Sequence, residues 1–219
     1  MPVVEISGLL IVVGYLFGSI PTGYLLAKWL KGIDIREHGS GSTGATNVLR
    51  TVGKTAALTV LLVDLLKGAA AVAVVKASFS LFPMVMFPLE PWQAWLVMLS
   101  GIAAIFGHSK SIWLGFSGGK SVAASLGVLL MMSPPVALGT IAAFILTLVF
   151  FRIVSLGSIS GAIAVNLFMI LLHQPIPYCL FAAFAGFYVI LRHRTNIQRM
   201  IAGTEPAIGQ KLQGEVKAP

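Results

Sequence analysis

The stretch SVAASLGVLLMMSPPVALGTIAAFILTLVFF, from Ser121 to Phe151, contains no Asp, Glu, Lys or Arg, and a second charge-free run extends from Ile153 to Leu191. A helix crosses the hydrocarbon core of a bilayer with roughly 20 residues, so each run is long enough for more than one crossing. Pro134-Pro135 divides the first run, and His173-Gln174-Pro175 with Pro177 divides the second, because proline disfavours helix continuation. The same texture holds over all 219 residues: 57% are hydrophobic and 10% charged, and the mean hydropathy is +0.93. A soluble domain carries about 25% charged residues, and a transmembrane β-barrel would show segments of roughly ten residues alternating in polarity. The sequence therefore indicates an all-α polytopic membrane protein. Its apolar runs predict seven transmembrane helices, at about 4–27, 55–75, 92–107, 119–133, 135–151, 156–172 and 178–191. The first is read as an uncleaved span, since Glu5 interrupts it, no basic segment precedes it and no A-x-A site follows.

Seven crossings place the termini on opposite sides. With the N-terminus outside, 13 of the 15 Lys and Arg residues fall in the cytoplasm, leaving Lys76 outside and Lys67 within a span. This asymmetry satisfies the positive-inside rule. It also accounts for the net charge of +8 without nucleic acid, because the charges lie between apolar runs. The expected organisation is one membrane domain over residues 1–202, followed by a short cytoplasmic tail over 203–219. Gly14 and Gly18 form G-x-x-x-G in the first span, a pattern of close helix packing. Asp64 and Lys67, three residues apart in an apolar span, read as a structural ion pair, with a transport pathway as the alternative. The single Cys179 lies in an apolar run and reads as a packing residue.

This topology brings four polar segments to the cytoplasmic side: Gly39 to Asn47 with Arg50 beyond it, Gly107 to Ser121, Arg152 to Ser158, and Arg192 to Arg199. Three of them lead into helices, whose N-terminal N–H groups and dipoles favour anions, and the segments carry cations as well. Phosphate is the natural ligand. Gly39, Gly41 and Gly44 permit close backbone approach, while Ser40, Ser42, Thr43, Thr46 and Asn47 add short hydrogen-bonding groups. Neither this loop nor Gly118-Gly119-Lys120-Ser121 is a nucleotide P-loop: Ala45 stands where the first would need Lys, and Leu114 where the second would need Gly. His108 and His193 are candidate bases, but Trp113 follows His108 at five residues, so the H-x4-D acyltransferase pattern fails. The carboxylate spacing suggests no metal site, and nothing requires a cofactor or an obligate protein partner.

The segments GSGSTGATNVLR (39–50), GHSKSIWLGFSGGKSVA (107–123), VSLGS (154–158) and RHRTNIQRMIAGTE (192–205) together resemble the bacterial acyl-phosphate:glycerol-3-phosphate acyltransferase family, PlsY. The resemblance spans nearly the whole chain and includes Asp64-x-x-Lys67-Gly68. It implies transfer of an acyl group from acyl phosphate to the 1-hydroxyl of glycerol 3-phosphate, in a bacterial inner membrane with the site facing the cytoplasm. It also implies roles. Ser40, Asn47, Arg50 and Lys120 would be catalytic, and Thr46, Ser155, Ser158, His193 and Asn196 would bind substrate. Gly39, Gly41, Gly44, Gly118 and Gly119 would form phosphate loops. Ser42 stands where the family motif usually has Asn, so one side-chain amide is absent. Transport of a phosphorylated or other anionic metabolite is the alternative function.

Overall fold

The computed structural model describes residues 3–210, and their regular structure is helical throughout. Helix α1 (Val3–Ser19) is followed by α2 (Thr22–Lys31), α3 (Ala45–Thr51), α4 (Lys54–Leu81), α5 (Pro83–Met86) and α6 (Gln93–Ser109). Then come α7 (Val122–Met132), α8 (Pro134–Phe151), α9 (Val154–Leu171), α10 (Ile176–Arg192) and α11 (Arg194–Ile201). Many large apolar side chains, such as Leu66 and Phe150, are exposed, as lipid-facing residues would be.

Five stretches are long and apolar enough to cross a membrane: Val4–Lys31, which joins α1 and α2, then Lys54–Leu81, Pro83–Ser109, Pro134–Phe151 and Val154–Leu171. Helices α10 and α11, bent by 57° at their junction, make a sixth if taken together. The expected span at 119–133 is different. Its helix, α7, has only 11 residues, about 16 Å at 1.5 Å per residue against a hydrocarbon core of about 30 Å. Residues 115–121 are irregular, and hydropathy, which scores side chains, does not register that loss of helix.

Helix α1 stops where Pro21 removes a backbone donor and disfavours helix at Ile20. The Ile20 carbonyl accepts from Lys67 Nζ at 2.8 Å, and the same ammonium lies 2.8 Å from Asp64 Oδ1. The Asp64–Lys67 pair is thus formed, and it anchors the α1–α2 break to α4. Gly14 and Gly18 pack on α6: a Cβ added to Gly18 would lie 2.1 Å from the Ala104 carbonyl oxygen, so the two backbones meet only because the side chain is absent. The main apolar core runs through α1, α4, α6, α7, α9 and α10, with Met86 from the end of α5 and Val136 and Ala137 from the start of α8. A smaller cluster of Ala27, Ile35, Val48, Ala56, Ala57 and Val60 seats α2 and α3 on the start of α4 and so fixes the glycine-rich loop.

Candidate active site

A cavity of about 380 Å³ opens where the four polar segments meet. Ser40, Gly44, Thr46, Asn47 and Arg50 line it from the first segment and Lys120 from the second. Ser155 and Ser158 come from the third, His193 and Asn196 from the fourth. Every side chain expected to be catalytic or substrate-binding therefore reaches one compartment. Four of the five expected phosphate-loop glycines do not line it.

Asn47 holds the first loop together. Its amide nitrogen donates toward the carbonyl oxygens of Ile35, His38 and Ser42, at 3.3, 3.0 and 2.9 Å, and its Oδ1 accepts the Ser40 N–H at 2.9 Å. An amide has two N–H donors, so these bonds occupy its donor capacity. Asn47 thus positions the loop, and its side chain also lines the cavity. Gly39 and Gly41 adopt φ of +56° and +68° in the turn that opens the loop. Ser42 Oγ accepts the Gly44 N–H at 3.3 Å, so this hydroxyl braces the loop.

The turn before α7 presents Lys120. Arg192 donates to the carbonyl oxygens of Gly118 and Gly119 at 3.3 and 3.0 Å, and the Gly119 N–H donates to the His108 carbonyl at 3.2 Å. A Cβ on Gly119 would lie 2.1 Å from His108 Nε2. These glycines serve close packing against His108. Neither Gly118 nor Gly119, both expected in a phosphate loop, is among the residues lining the cavity, and the Gly119 N–H is engaged by the His108 carbonyl.

Lys120 Nζ donates to Asn196 Oδ1 at 2.6 Å, and Asn196 Nδ2 donates to Glu205 Oε1 at 2.6 Å. An ammonium only donates and a carboxylate only accepts, which settles the orientation of the amide between them. Ser155 Oγ donates to the same Glu205 oxygen at 2.8 Å, and Arg199 Nε donates to Oε2 at 2.6 Å. Burial favours a protonated Glu205, but the hydrogen bonds from Asn196, Ser155 and Arg199 outweigh it and hold the carboxyl below its usual range. Burial pulls the Lys120 ammonium down to about 8, with Arg199, Arg50 and Arg192 adding to the shift and Glu205 opposing it.

His193 sits at the 57° bend between α10 and α11. Its Nδ1 is 2.7 Å from the Val189 carbonyl oxygen; a carbonyl cannot donate, so Nδ1 carries the proton and Nε2 of the neutral ring is an acceptor. Ser158 Oγ donates to the Val154 carbonyl of its own helix at 3.0 Å.

The sequence assigns no site role to Glu205 or Asp64, and reads His108 only as a candidate base, yet all three line this compartment. Glu205 lies in the expected tail, yet its side chain is 3% exposed and the Ile208 N–H reaches back to the Arg152 carbonyl at 2.8 Å. Glu205 thus lines the site, and the segment after it folds back on Arg152; the remaining tail, with Lys211 and Lys217, lies outside the described residues. A usable signal was present, since Glu205 is the single acid among Arg192, Arg194 and Arg199. Asp64 and His108 also line the cavity, with Asp64 Oδ1 3.6 Å from His108 Nδ1. His108 Nδ1 and Ser125 Oγ are buried with no hydrogen-bond partner among the described residues.

From this polar end the cavity continues as an apolar arm between α7, α8, α9 and α10, past Leu126, Phe144, Ala162 and Ala185. One compartment joins a cationic pocket to an apolar arm.

The chain resembles known proteins over nearly all of its length. The glycerol-3-phosphate acyltransferase family model matches residues 8–203. A glycerol-3-phosphate acyltransferase of Rippkaea orientalis is 63% identical over 212 residues, 97% of each chain. One of Crocosphaera subtropica is 62% identical over 210 residues, 96% of this chain and 97% of that one. A crystal structure of PlsY (YgiH), an integral membrane glycerol 3-phosphate acyltransferase in its glycerol 3-phosphate form, superposes with a TM-score of 0.83 at 36% identity. The match covers 93% of this chain and 96% of that one. The lysophosphatidic acid form gives 0.80 at 35% identity, over 93% and 95%. With a match that takes in all four segments lining the cavity, the chain belongs to the glycerol-3-phosphate acyltransferase family.

Proposed function

We propose that the chain transfers an acyl group from acyl phosphate to the 1-hydroxyl of glycerol 3-phosphate, giving 1-acylglycerol 3-phosphate and inorganic phosphate for phospholipid synthesis. The observation that carries this reading is the continuity of the cavity. Lys120 and Arg50 occupy its polar end, and the apolar arm leads away from them into the helix bundle. A soluble phosphorylated acceptor suits the first environment and the chain of a lipid donor the second.

In this reading the acceptor hydroxyl oxygen attacks the carbonyl carbon of the donor, an oxyanion forms, and its collapse breaks the bond to phosphate. Lys120 and Arg50 stabilise the negative charge on the oxyanion and the departing phosphate, with Ser40 beside them. Thr46, Ser155, Ser158, His193 and Asn196 hold the acceptor. The hydroxyl proton passes to His193 Nε2 or to a phosphate oxygen of the acceptor itself. Phosphate is already a good leaving group, so no acyl-enzyme is required. Transport fits less well, because the residues lining the arm reach no further than Leu129, Val165 and Phe181.

Purified protein supplied with acyl phosphate and glycerol 3-phosphate is expected to release phosphate and lysophosphatidate in equal amounts. Turnover with acyl-CoA alone, and none with acyl phosphate, would remove the proposed donor.

The same reading places the chain in a bacterial inner membrane with seven crossings, α7 and its flanking segments completing the fourth. The N-terminus lies outside, and the site and the C-terminus face the cytoplasm. The support is the distribution of Lys and Arg between the two sides. A tag placed after Pro219 is expected to be shielded from a membrane-impermeant reagent in intact cells; labelling there would invert the topology and put the site on the wrong side of its soluble acceptor.

A further inference from the structure

The apolar arm has a floor. On α10 the cavity-lining residues form one stripe, His193, Val189, Gly186, Ala185, Ala182 and Phe181, that turns from polar through small to aromatic. Ala185 and Gly186 leave the space that larger side chains would fill. Phe181 is 0% exposed, and its ring packs on the backbone of α6: a Cβ added to Gly101 would lie 3.1 Å from Phe181 Cε2. The same point is 2.7 Å from Val128 Cγ1 and 3.4 Å from Met132 Cε, so these side chains gather with the ring at Gly101, and none of Gly101, Val128 and Met132 lines the cavity.

The depth of this floor follows from helix geometry. Phe181 precedes His193 by twelve residues, about 18 Å along α10 at 1.5 Å per residue. Val165, at the deep end of α9, lies eleven residues from Val154, about 16 Å by the same rise. Thr140 lies eleven residues from the end of the oppositely directed α8 and also lines the cavity. Three helices thus place the bottom of the arm at one level. That depth matches the acyl layer of a single leaflet, about 15 Å, half of the hydrocarbon core.

We infer that Phe181 is the length-determining residue of the donor site: its ring, backed by Gly101, Val128 and Met132, stops the ω-end of the acyl chain. Donors that fill the arm place their carbonyl carbon beside Lys120. Longer chains hold it back from that position, or must fold. This inference rests on the proposed function, since it takes the occupant of the arm to be the acyl chain of the donor.

The test measures kcat/KM for a series of saturated acyl phosphates from lauroyl to arachidoyl, for the wild-type protein, Phe181→Ala and Ala185→Leu. One methylene in an apolar pocket discriminates by about 10-fold or more. Phe181→Ala is therefore expected to raise the ratio of the longest donor to the best wild-type donor by about 10-fold or more. Ala185 lies only eight residues from His193, about 12 Å along the helix. Filling its position with Leu is expected to shift preference toward the shortest donors. Should Phe181→Ala fail to fold, Phe181→Leu carries the same expectation in reduced size. Identical length profiles in Ala185→Leu and a folded Phe181 variant, with turnover intact, would overturn the ruler and leave the proposed function standing. Absence of turnover with every acyl phosphate in the wild-type protein would overturn both.

Discussion

Lys120→Ala is expected to lower kcat by about 10² or more, the usual size of the loss when a preorganised donor to a developing charge is removed. The ammonium stands in the one compartment that receives all four polar segments, held by Asn196 at 2.6 Å. Its acidity adds a second readout. Because burial brings Lys120 to about 8, its charge is present below that pH and is lost as pH rises through it. Wild-type turnover should therefore fall along an alkaline limb near pH 8. Lys120→Arg should rescue only part of the rate, since a planar guanidinium does not reproduce a compact ammonium, but its limb should vanish because arginine stays charged. A folded Lys120→Ala protein with wild-type kcat and KM for both substrates would falsify the phosphate-centred mechanism.

Glu205→Ala should be mainly a stability variant. The carboxylate accepts from Asn196, Ser155 and Arg199 while 3% exposed, so its removal leaves a guanidinium and an amide without their acceptor. Arg199 is itself partly exposed, but losing the charge-assisted hydrogen bonds of three donors together costs about 3 kcal/mol. For a chain of this size that lowers the thermal midpoint by roughly 6 °C or more. Glu205→Gln separates charge from hydrogen bonding. It retains an oxygen acceptor, but it removes the negative charge that raises the Lys120 pKa, so the alkaline limb should move to lower pH. A thermal midpoint unchanged in the Ala variant, together with an unmoved limb in the Gln variant, would mean that this network supports neither the fold nor Lys120.

The membrane class, the helical architecture and the meeting of four polar segments were legible in the sequence because each depends on side-chain chemistry summed over many residues. What escaped depends on backbone geometry and on contacts between distant segments. Apolar content marks Ser121 to Met132 as membrane-compatible, yet it cannot show that the preceding seven residues abandon the helix to carry Lys120 into the cavity. A glycine pair beside a lysine reads as an anion cradle, whereas at Gly119 the missing side chain makes room for His108. Glu205 follows a turn near the chain end, and only the folding back of residues 203–210 places it beside Ser155, fifty positions earlier. Asn47 shows the complementary limit. Its participation in the site was legible, but its amide is directed to the carbonyls of Ile35, His38 and Ser42, in and just before the loop, which residue type alone does not disclose.

The short helix α7 bears on how the protein is assembled. A helix leaves four N–H groups at one end and four carbonyls at the other without intrahelical partners, and lipid supplies none. An eleven-residue helix would expose such ends within the hydrocarbon layer, so α7 is unsuited to independent insertion. The protein meets part of this need through an earlier segment, since Lys76 Nζ donates to the Met131 carbonyl in the last turn of α7, while Ser121 Oγ ties the start of α7 to the Ile105 carbonyl of α6. The body of α7 rests on α4, with Gly68 against Ala124 and Gly127 against Leu65. Helices α4 and α6 precede α7 in the chain, so a nascent polypeptide already offers this berth when α7 is made. Insertion of α7 is consequently a templated step, and the lysine at its threshold reaches its working position only when that docking is complete.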